Sequence, residues 1–507
     1  MTDDQQPVFD FLGRPDTYGG TPVKRIDTHA AAVFLAGERA LKIKRAVRFP
    51  FLDYSTLEKR KAACEAELAV NRPYAPAIYK RVIPITRAAD GSLALNGKAT
   101  PVEWAVEMRR FDENATLDRL AKAGRIDDRL ADALGRAVAK AHAMAPVARG
   151  FGFAAQLREI VVQNDAELKA EPQLFAPDEV AALMHDTQAA LTRLDPLLVA
   201  RESSGCVKRC HGDLHLGNIV LIDGEPTLFD AIEFDERIAT SDVFYDLAFL
   251  LMDLIERGLD AAGNIVLNRY LIETRRVEDL DALAALPLFM SVRAAIRAKV
   301  TAARAKHAAD PQEAAQSART YFALARTLLT PRPAQLIAVG GLSGTGKSVL
   351  ARALAPDIAP PPGAVLLRSD VMRKTLFGAA ETEKLPPSAY TREASEKVYA
   401  ALIERAARAI RAGHSAVVDA VFADAKERAD VARAAHGTPF HGLFLTADLA
   451  TRVARVGRRV ADASDADAGV ARQQEQYDLG HLDWATVDAS GAPEETLRRA
   501  KIALQRR

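Results

Sequence analysis

The chain has 507 residues, too many for one ordinary hydrophobic core, so roughly two to four domains are expected and no covalent staples are needed. Its 68 Lys and Arg against 67 Asp and Glu leave it close to neutral, which removes any global electrostatic case for binding nucleic acid or an anionic membrane surface. Cys64, Cys206 and Cys210 form no paired framework and fit a reducing compartment.

The opening "MTDDQQPVFDFLGRP" is acidic and lacks a basic region followed by an apolar stretch, so no secretory signal is expected there. The longest apolar run, "VFYDLAFLLMDLI", is too short for a bilayer and carries Asp246 and Asp253. A soluble cytoplasmic protein with no membrane partner is the expectation.

The first 110 residues read as strands and turns. "AAVFLAGERALKIKR" (31–45) is a hairpin signal, and "STLEKRKAACEAELAVNRPYA" (55–75) has the spacing of a helix. "YKRVIPITRAADGSLALNG" and "VEWAVEMRRF" supply further strands, with Asp90-Gly91 as a turn. Residues 115–200 are Ala/Leu/Arg-rich and helical, 209–235 return to short strands and loops, and 242–330 are helical again. This predicts a small strand-rich lobe, about 1–110, and a helical lobe, 111–330.

Within 209–218, "RCHGDLHLGN", polar groups crowd in front of the apolar run "NIVLIDGEPTLFDAIEF". Asp213 and Asn218 are five apart, and Asp230 follows twelve residues later. Phosphoryl transfer by a kinase lobe uses such a trio: one Asp to orient and deprotonate the acceptor, then an Asn and an Asp to hold Mg²⁺. Cys206, Cys210 and His211 lack a nearby fourth metal ligand and read as core groups at a strand edge.

"LTPRPAQ" (329–335) ends the preceding helix and forms a short stiff linker. Beyond it, "LIAVGG" (336–341), "AVLLRSD" (364–370), "SAVVDAVF" (415–422) and "HGLFLTA" (441–447) are continuous apolar runs separated by helical text. They suit a parallel sheet buried on both faces, in an α/β domain covering 331–507. "GLSGTGKS" (341–348) fits the phosphate-binding loop pattern, with Gly341, Gly346, Lys347 and Ser348 at the fixed places and Ser343, Gly344 and Thr345 between them. Its backbone N–H groups would cradle the phosphates of ATP, Lys347 would reach them, and Ser348 would ligate Mg²⁺. Asp370 and Arg373, in "RSDVMR", would project one helical turn apart from the carboxyl edge of the next strand. There the Asp can take an acceptor hydroxyl's proton and the Arg can hold an anionic group. Asp419, ending "AVVD", suits a carboxylate that steadies Mg²⁺. "TRVARVGRR" spaces Arg452, Arg455 and Arg459 as a lid over transferring phosphate would, with Arg455 the ATP contact.

The pattern from His211 to Asn218 resembles aminoglycoside phosphotransferases and the related choline- and sugar-kinase-like enzymes, whose "HGDxHxGN" it matches in full. That resemblance implies a bilobal protein-kinase-like fold using ATP and Mg²⁺. It makes Lys42 in "ALKIK" the phosphate-binding lysine, with Lys44 on the same strand face as the rival, and Glu67 its partner. It places adenine against the backbone of roughly Glu107–Arg109, and makes Asp242 and Asp246 braces for the catalytic loop; His142 reads as a helix-packing residue. The chain departs from protein kinases in two ways. No G-x-G-x-x-G precedes Lys42, and only about a dozen residues separate Asp230 from Asp242, too few for an activation segment. "D-x-x-R" at Asp370–Arg373 is similar to polynucleotide kinases and zeta-toxin-like kinases, where the Asp serves as base. The order of the two parts resembles bacterial two-domain proteins that join an aminoglycoside-phosphotransferase-like half to a P-loop kinase. That resemblance implies two ATP sites acting on hydroxyl groups of small molecules or of RNA or DNA ends. A regulatory kinase-like lobe attached to a P-loop NTPase is the alternative.

Overall fold

The computed structural model describes residues 4–49, 52–305, 310–458 and 463–505. It is mixed α/β, and compactness divides it into two units, 1–157 with 198–253, and 158–197 with 254–507. The linker at 329–335 suggested a cut at 330/331. In the division by compactness the helical stretch that follows residue 253 groups with the C-terminal sheet. The physical reason is local: Asn268 Nδ2 donates to Ala364 O (3.2 Å), and its Oδ1 accepts from Leu366 N (2.6 Å). Asn264 Nδ2 also donates to Ala364 O (3.0 Å).

In the first unit, strands β1 (Val23–Asp27), β2 (Ala31–Ala36) and β3 (Arg39–Lys44) precede a two-residue pair, β4 (Arg48–Phe49) and β5 (Leu52–Asp53). After the helix Leu57–Asn71, which Thr56 caps by accepting from Lys59 N, come β6 (Tyr79–Arg87), β7 (Leu93–Leu95) and β8 (Thr100–Arg109). The sheet is antiparallel, in the order β1-β2-β3-β8-β6-β7. Strand alternation gives β3 two different faces. Leu41 and Ile43 join Phe34, Ile83, Ile85 and Ala105 in one core, which Phe9 and Leu12 of the first helix cover. Lys42 and Lys44 point the other way, toward the helix Leu57–Asn71.

The remainder of this unit places a loop between β9 (Val207–Arg209) and the hairpin of β10 (Ile219–Ile222) and β11 (Glu225–Leu228), which turns after Ile222↔Glu225 and has Ile219↔Leu228 at its open end. β12 (Thr240–Asp242) pairs back on β9 and runs into the helix Val243–Glu256.

The second unit carries a parallel sheet of β13 (Leu336–Gly341), β14 (Val365–Arg368), β15 (Ala416–Asp419), β16 (Phe440–Thr446) and β17 (Ala485–Asp488) in the order β14-β15-β13-β16-β17. Every residue of β13 is buried, as expected of a strand covered on both faces. Ile337, Val339, Val417, Leu443 and Leu445 pack with Leu350 and Leu354 of the helix that follows the phosphate-loop sequence. At roughly 1.5–3 kcal/mol for each such side chain, this core fixes where β13 ends and the loop begins. β14 stops at Arg368; Ser369 and Asp370 open the helix Ser369–Leu376 instead of ending the strand. β17 was not expected from the sequence. Among the described residues no helix is long and apolar enough to cross a membrane.

Candidate active sites

In the first unit, β3 and the helix Leu57–Asn71 bring Lys42 Nζ to Glu67 Oε1 (2.8 Å), and Lys42 also reaches Asp230 Oδ1 (2.7 Å). Lys44 Nζ lies 2.6 Å from Glu67 Oε2 and pairs with Glu233. The two lysines are therefore not equivalent: Lys42 meets the metal-type aspartate, and Lys44 is sealed behind it. Burial alone would raise the Glu67 carboxyl, but the ammonium groups of Lys42 and Lys44 hold it below the usual carboxylate range.

The loop after β9 is shaped by its glycine. Gly212 has φ +83°, and a Cβ there would lie 3.0 Å from Ala239 Cα. Its N–H donates to Asp246 Oδ1 (2.9 Å) and that of His211 to Asp246 Oδ2 (3.3 Å), so Asp246 braces the loop. His142 Nε2 lies 3.1 Å from the same carboxylate. Asp242 receives Arg201 through two bonds (2.7 and 2.9 Å) and caps Phe244 N (2.8 Å). The loop presents Asp213, whose carboxylate accepts from Asn218 Nδ2 (2.9 Å) and sits 3.4 Å from His215 Nε2. Asn218 O accepts from Phe229 N (3.0 Å), so Asn218 and Asp230 flank the open end of the hairpin. The Asp213 and Asp230 side chains are 41% and 46% exposed, whereas Glu67 is fully buried.

Glu107 and Arg109 are not brought to this cluster by their side chains. Leu41↔Glu107 and Lys42↔Val106 are facing pairs, so Glu107 lies on the opposite face of the sheet from Lys42, paired with Arg39 (2.6 Å) and Arg81 (2.7 Å). Arg109 N donates to Ile78 O (2.8 Å), and Glu107 and Arg109 both belong to β8, which β3 and β6 flank. Cys210 converges with His142 and Asp246, not with Cys206 and His211. Asp246 and the Cys210 thiol are engaged in hydrogen bonds there.

In the second unit the phosphate-type loop crosses the carboxyl end of β13, where the strand order reverses and open α/β sheets bind ligands. Gly344 (φ +89°) leaves no room for a Cβ, which would lie 2.5 Å from Arg452 O, and one on Gly341 would lie 2.6 Å from Leu445 O. Ser343 N donates to Gln474 Oε1 (2.6 Å), Thr345 Oγ1 to Leu342 O (2.8 Å), and Lys347 Nζ to Leu342 O (3.2 Å). Gly346 precedes the helix Lys347–Leu354. Ser348 Oγ donates to Asp419 Oδ2 (2.6 Å) at the end of β15. Two hard oxygen donors so close suit Mg²⁺.

A cavity of about 1040 Å³ opens over this loop and is lined also by Asp370, Arg373, Tyr390, Tyr399, Asp419 and Arg455. Burial, and then the neighbouring Asp419, push the Asp370 carboxyl up, against Arg368 and Lys347. A carboxyl raised in this way is better matched to taking a proton near neutral pH. Arg373 donates to Ala389 O (2.5 Å) and to Ser395 Oγ (3.3 Å), with its guanidinium 4.9 Å from the Tyr390 ring centre. Arg455 is aimed by bonds to Ala489 O and Gly491 O, both 2.8 Å. Arg452 does not join a lid: it is buried beneath the loop and donates to Ala471 O (2.9 Å). Arg459 lies outside the described residues.

Several neighbours of these groups were not anticipated from the sequence. Arg368 Nη2 donates to Ser348 Oγ (3.2 Å) and Arg368 Nε to Asp419 Oδ2 (3.4 Å), tying both metal-type ligands to one guanidinium. Its only signal was its place two residues before Asp370. Asp465 receives Lys374 Nζ (2.7 Å), Leu385 N (3.0 Å) and Tyr390 Oη. Asp253 caps the first unit's loop at Leu216 N (2.9 Å).

The model of a phosphotransferase enzyme family matches residues 46–286, and that of an AAA domain matches residues 336–478. Uncharacterized proteins of Mycobacterium tuberculosis and Mycobacterium bovis are each 30% identical to the chain over 490 residues, 94% of this chain and 94% of theirs. Among solved structures, a choline/ethanolamine kinase family protein from Mesorhizobium loti is 15% identical, covering 64% of this chain and 99% of its own, with a TM-score of 0.37. A gluconokinase from Sinorhizobium meliloti is 22% identical, covering 34% of this chain and 93% of its own, with a TM-score of 0.26.

Proposed function

This chain belongs to the family of two-domain proteins that join an aminoglycoside-phosphotransferase-like domain to a P-loop kinase-like domain, and we propose from that premise that it is a bifunctional phosphotransferase with two separate ATP sites. What supports the reading is that each half carries a lysine, a carboxylate able to accept a proton and oxygen atoms able to ligate a metal. In the first these are Lys42, Asp213, and Asn218 with Asp230. In the second they are Lys347, Asp370, and Ser348 with Asp419.

Mg²⁺ would neutralise charge on the transferring phosphoryl group in each site. Asp213, exposed and oriented by Asn218, takes the proton of an acceptor hydroxyl in the first half. Lys42, already steered by Glu67, is the group that exchanges Asp230 for phosphate oxygens. In the second half Asp370 takes the proton, and Arg373, fixed by Ala389 and Ser395, holds the acceptor. Acceptors are hydroxyl-bearing small molecules or the hydroxyl ends of RNA or DNA. The short span from Asp230 to Asp242 disfavours a protein substrate.

The test is transfer of labelled γ-phosphate to pooled aminoglycosides, sugars, nucleosides and 5′-hydroxyl oligonucleotides by wild type, Asp213→Ala, Lys347→Ala and the double variant. Two kinases predict that each single variant removes a separable part of the transfer, by about a hundredfold or more. ATP hydrolysis without a labelled acceptor, indifferent to Asp213→Ala, would make the N-terminal half a regulatory nucleotide-binding lobe.

A further inference from the structure

In the N-terminal half five charges alternate in sign along one line: Asp230, Lys42, Glu67, Lys44 and Glu233. We infer that Lys44 and Glu233 are positioning residues of the nucleotide site, there to hold Glu67 while Lys42 changes partners; this rests on the reading of that half as a kinase.

Exposure falls from Asp230 to Glu67 and stays low beyond it. The Asp230 side chain is 46% exposed and Lys42 16%, whereas Glu67, Lys44 and Glu233 are 0%, 3% and 7%. The outer end is open to a ligand and the inner end is sealed. A phosphate chain competes with Asp230 and Glu67 for the single charge of Lys42. If Lys42 were the only cation on Glu67, drawing it toward phosphate would leave a fully buried carboxylate uncompensated, a strongly unfavourable state. Lys44, 2.6 Å from the other Glu67 oxygen, supplies the compensation and is itself too buried to follow the phosphate. Glu233 in turn balances Lys44, and Tyr54 Oη donates to it (3.1 Å).

The backbone around these groups is pinned as well. Gln5 Nε2 donates to Lys44 O (2.9 Å) and to Glu103 Oε2 (2.7 Å), while its Oε1 accepts from Ala46 N (2.7 Å). Asn71 Oδ1 accepts from Ala231 N (2.7 Å), and its Nδ2 donates to Glu67 O (3.1 Å). The segment 230–233 is thereby tied to β3 at both ends and to the neighbouring helix in the middle. Two lysines two residues apart on a strand and two acids three residues apart on the facing segment are what this line requires.

The experiment is calorimetric titration of the full chain, in a Lys347→Ala background that removes the second site's hold on phosphate, with ATP plus Mg²⁺ and with adenosine as a phosphate-free probe, whose second-site binding is common to every variant compared. Lys44→Met should weaken MgATP by about tenfold or more while leaving adenosine within about twofold, and Lys44→Arg should restore most of the loss. Lys44→Met/Glu233→Gln removes both inner charges together, so that neither is left buried alone, and should show the same selective loss if the single variant does not fold. Equal weakening of ATP and adenosine, or none in a folded variant, would overturn the inference. Lys42→Met separates the premises: if MgATP binding survives it, the nucleotide site itself is misassigned, and if only the Lys44 variants are silent, the inference alone fails.

Discussion

At the scale of single residues, burial decides which charges act and which are held. His414 lies 1% exposed, and its Nε2 is 2.9 Å from Gly363 O. Burial lowers its pKa from 6.5 to about 4, only partly offset by that hydrogen bond. The unfolded chain binds a proton near pH 6.5 that the folded chain takes up only near pH 4. The contribution to stability is therefore whole above pH 6.5 and is lost as pH falls through about 4, with about 2 kcal/mol disappearing between pH 7 and pH 5. His414→Gln should remove that part of the slope in urea midpoints measured at pH 7, 6 and 5; an unchanged slope would show that His414 is not its source.

At the scale of elements, the sites sit where regular structure ends. β13 delivers the phosphate-type loop, β15 delivers Asp419, and the hairpin of β10 and β11 delivers Asn218 and Asp230. The loop after β13 is set by glycine packing as much as by hydrogen bonds. Gly344→Ala puts a methyl group 2.5 Å from Arg452 O at φ +89°, a strain of about 1–3 kcal/mol in an unfavourable conformation. In an Asp213→Ala background it should abolish most of the remaining ATP turnover, while residual turnover above half of the parent would mean the loop yields easily. Element boundaries also moved a role: Asp370 opens a helix instead of ending a strand, which still sets it one turn from Arg373.

At the scale of the whole chain, the loop after β9 and the loop after β13 lie in two compact units, and the second unit includes the helices that follow residue 253. Asn268 on the helix Asp260–Thr274 satisfies backbone groups at the start of β14. Asn268→Leu leaves Leu366 N without its buried partner and should cost about 1–3 kcal/mol, read as a lower urea midpoint. A midpoint within error of wild type would show that these helices are not coupled to the sheet.

Much of this protein was legible in the sequence because its motifs are local. The segment His211–Asn218 and the loop Gly341–Ser348 each place their chemistry within eight residues, so spacing alone specifies backbone shape and donor types. The apolar runs that became β13, β14, β15 and β16 were legible for the same reason, since a strand buried on both faces has no polar phase. Only the tertiary structure decided what depends on distant segments meeting: that Lys42 and not Lys44 reaches Asp230, that Glu107 faces away, that Arg368 ties Ser348 to Asp419, and that Arg452 lies beneath its loop. Those outcomes turn on sheet face and burial across up to some two hundred residues of chain. A one-residue change of register reverses a side chain's face, and spacing along a sequence does not carry that information.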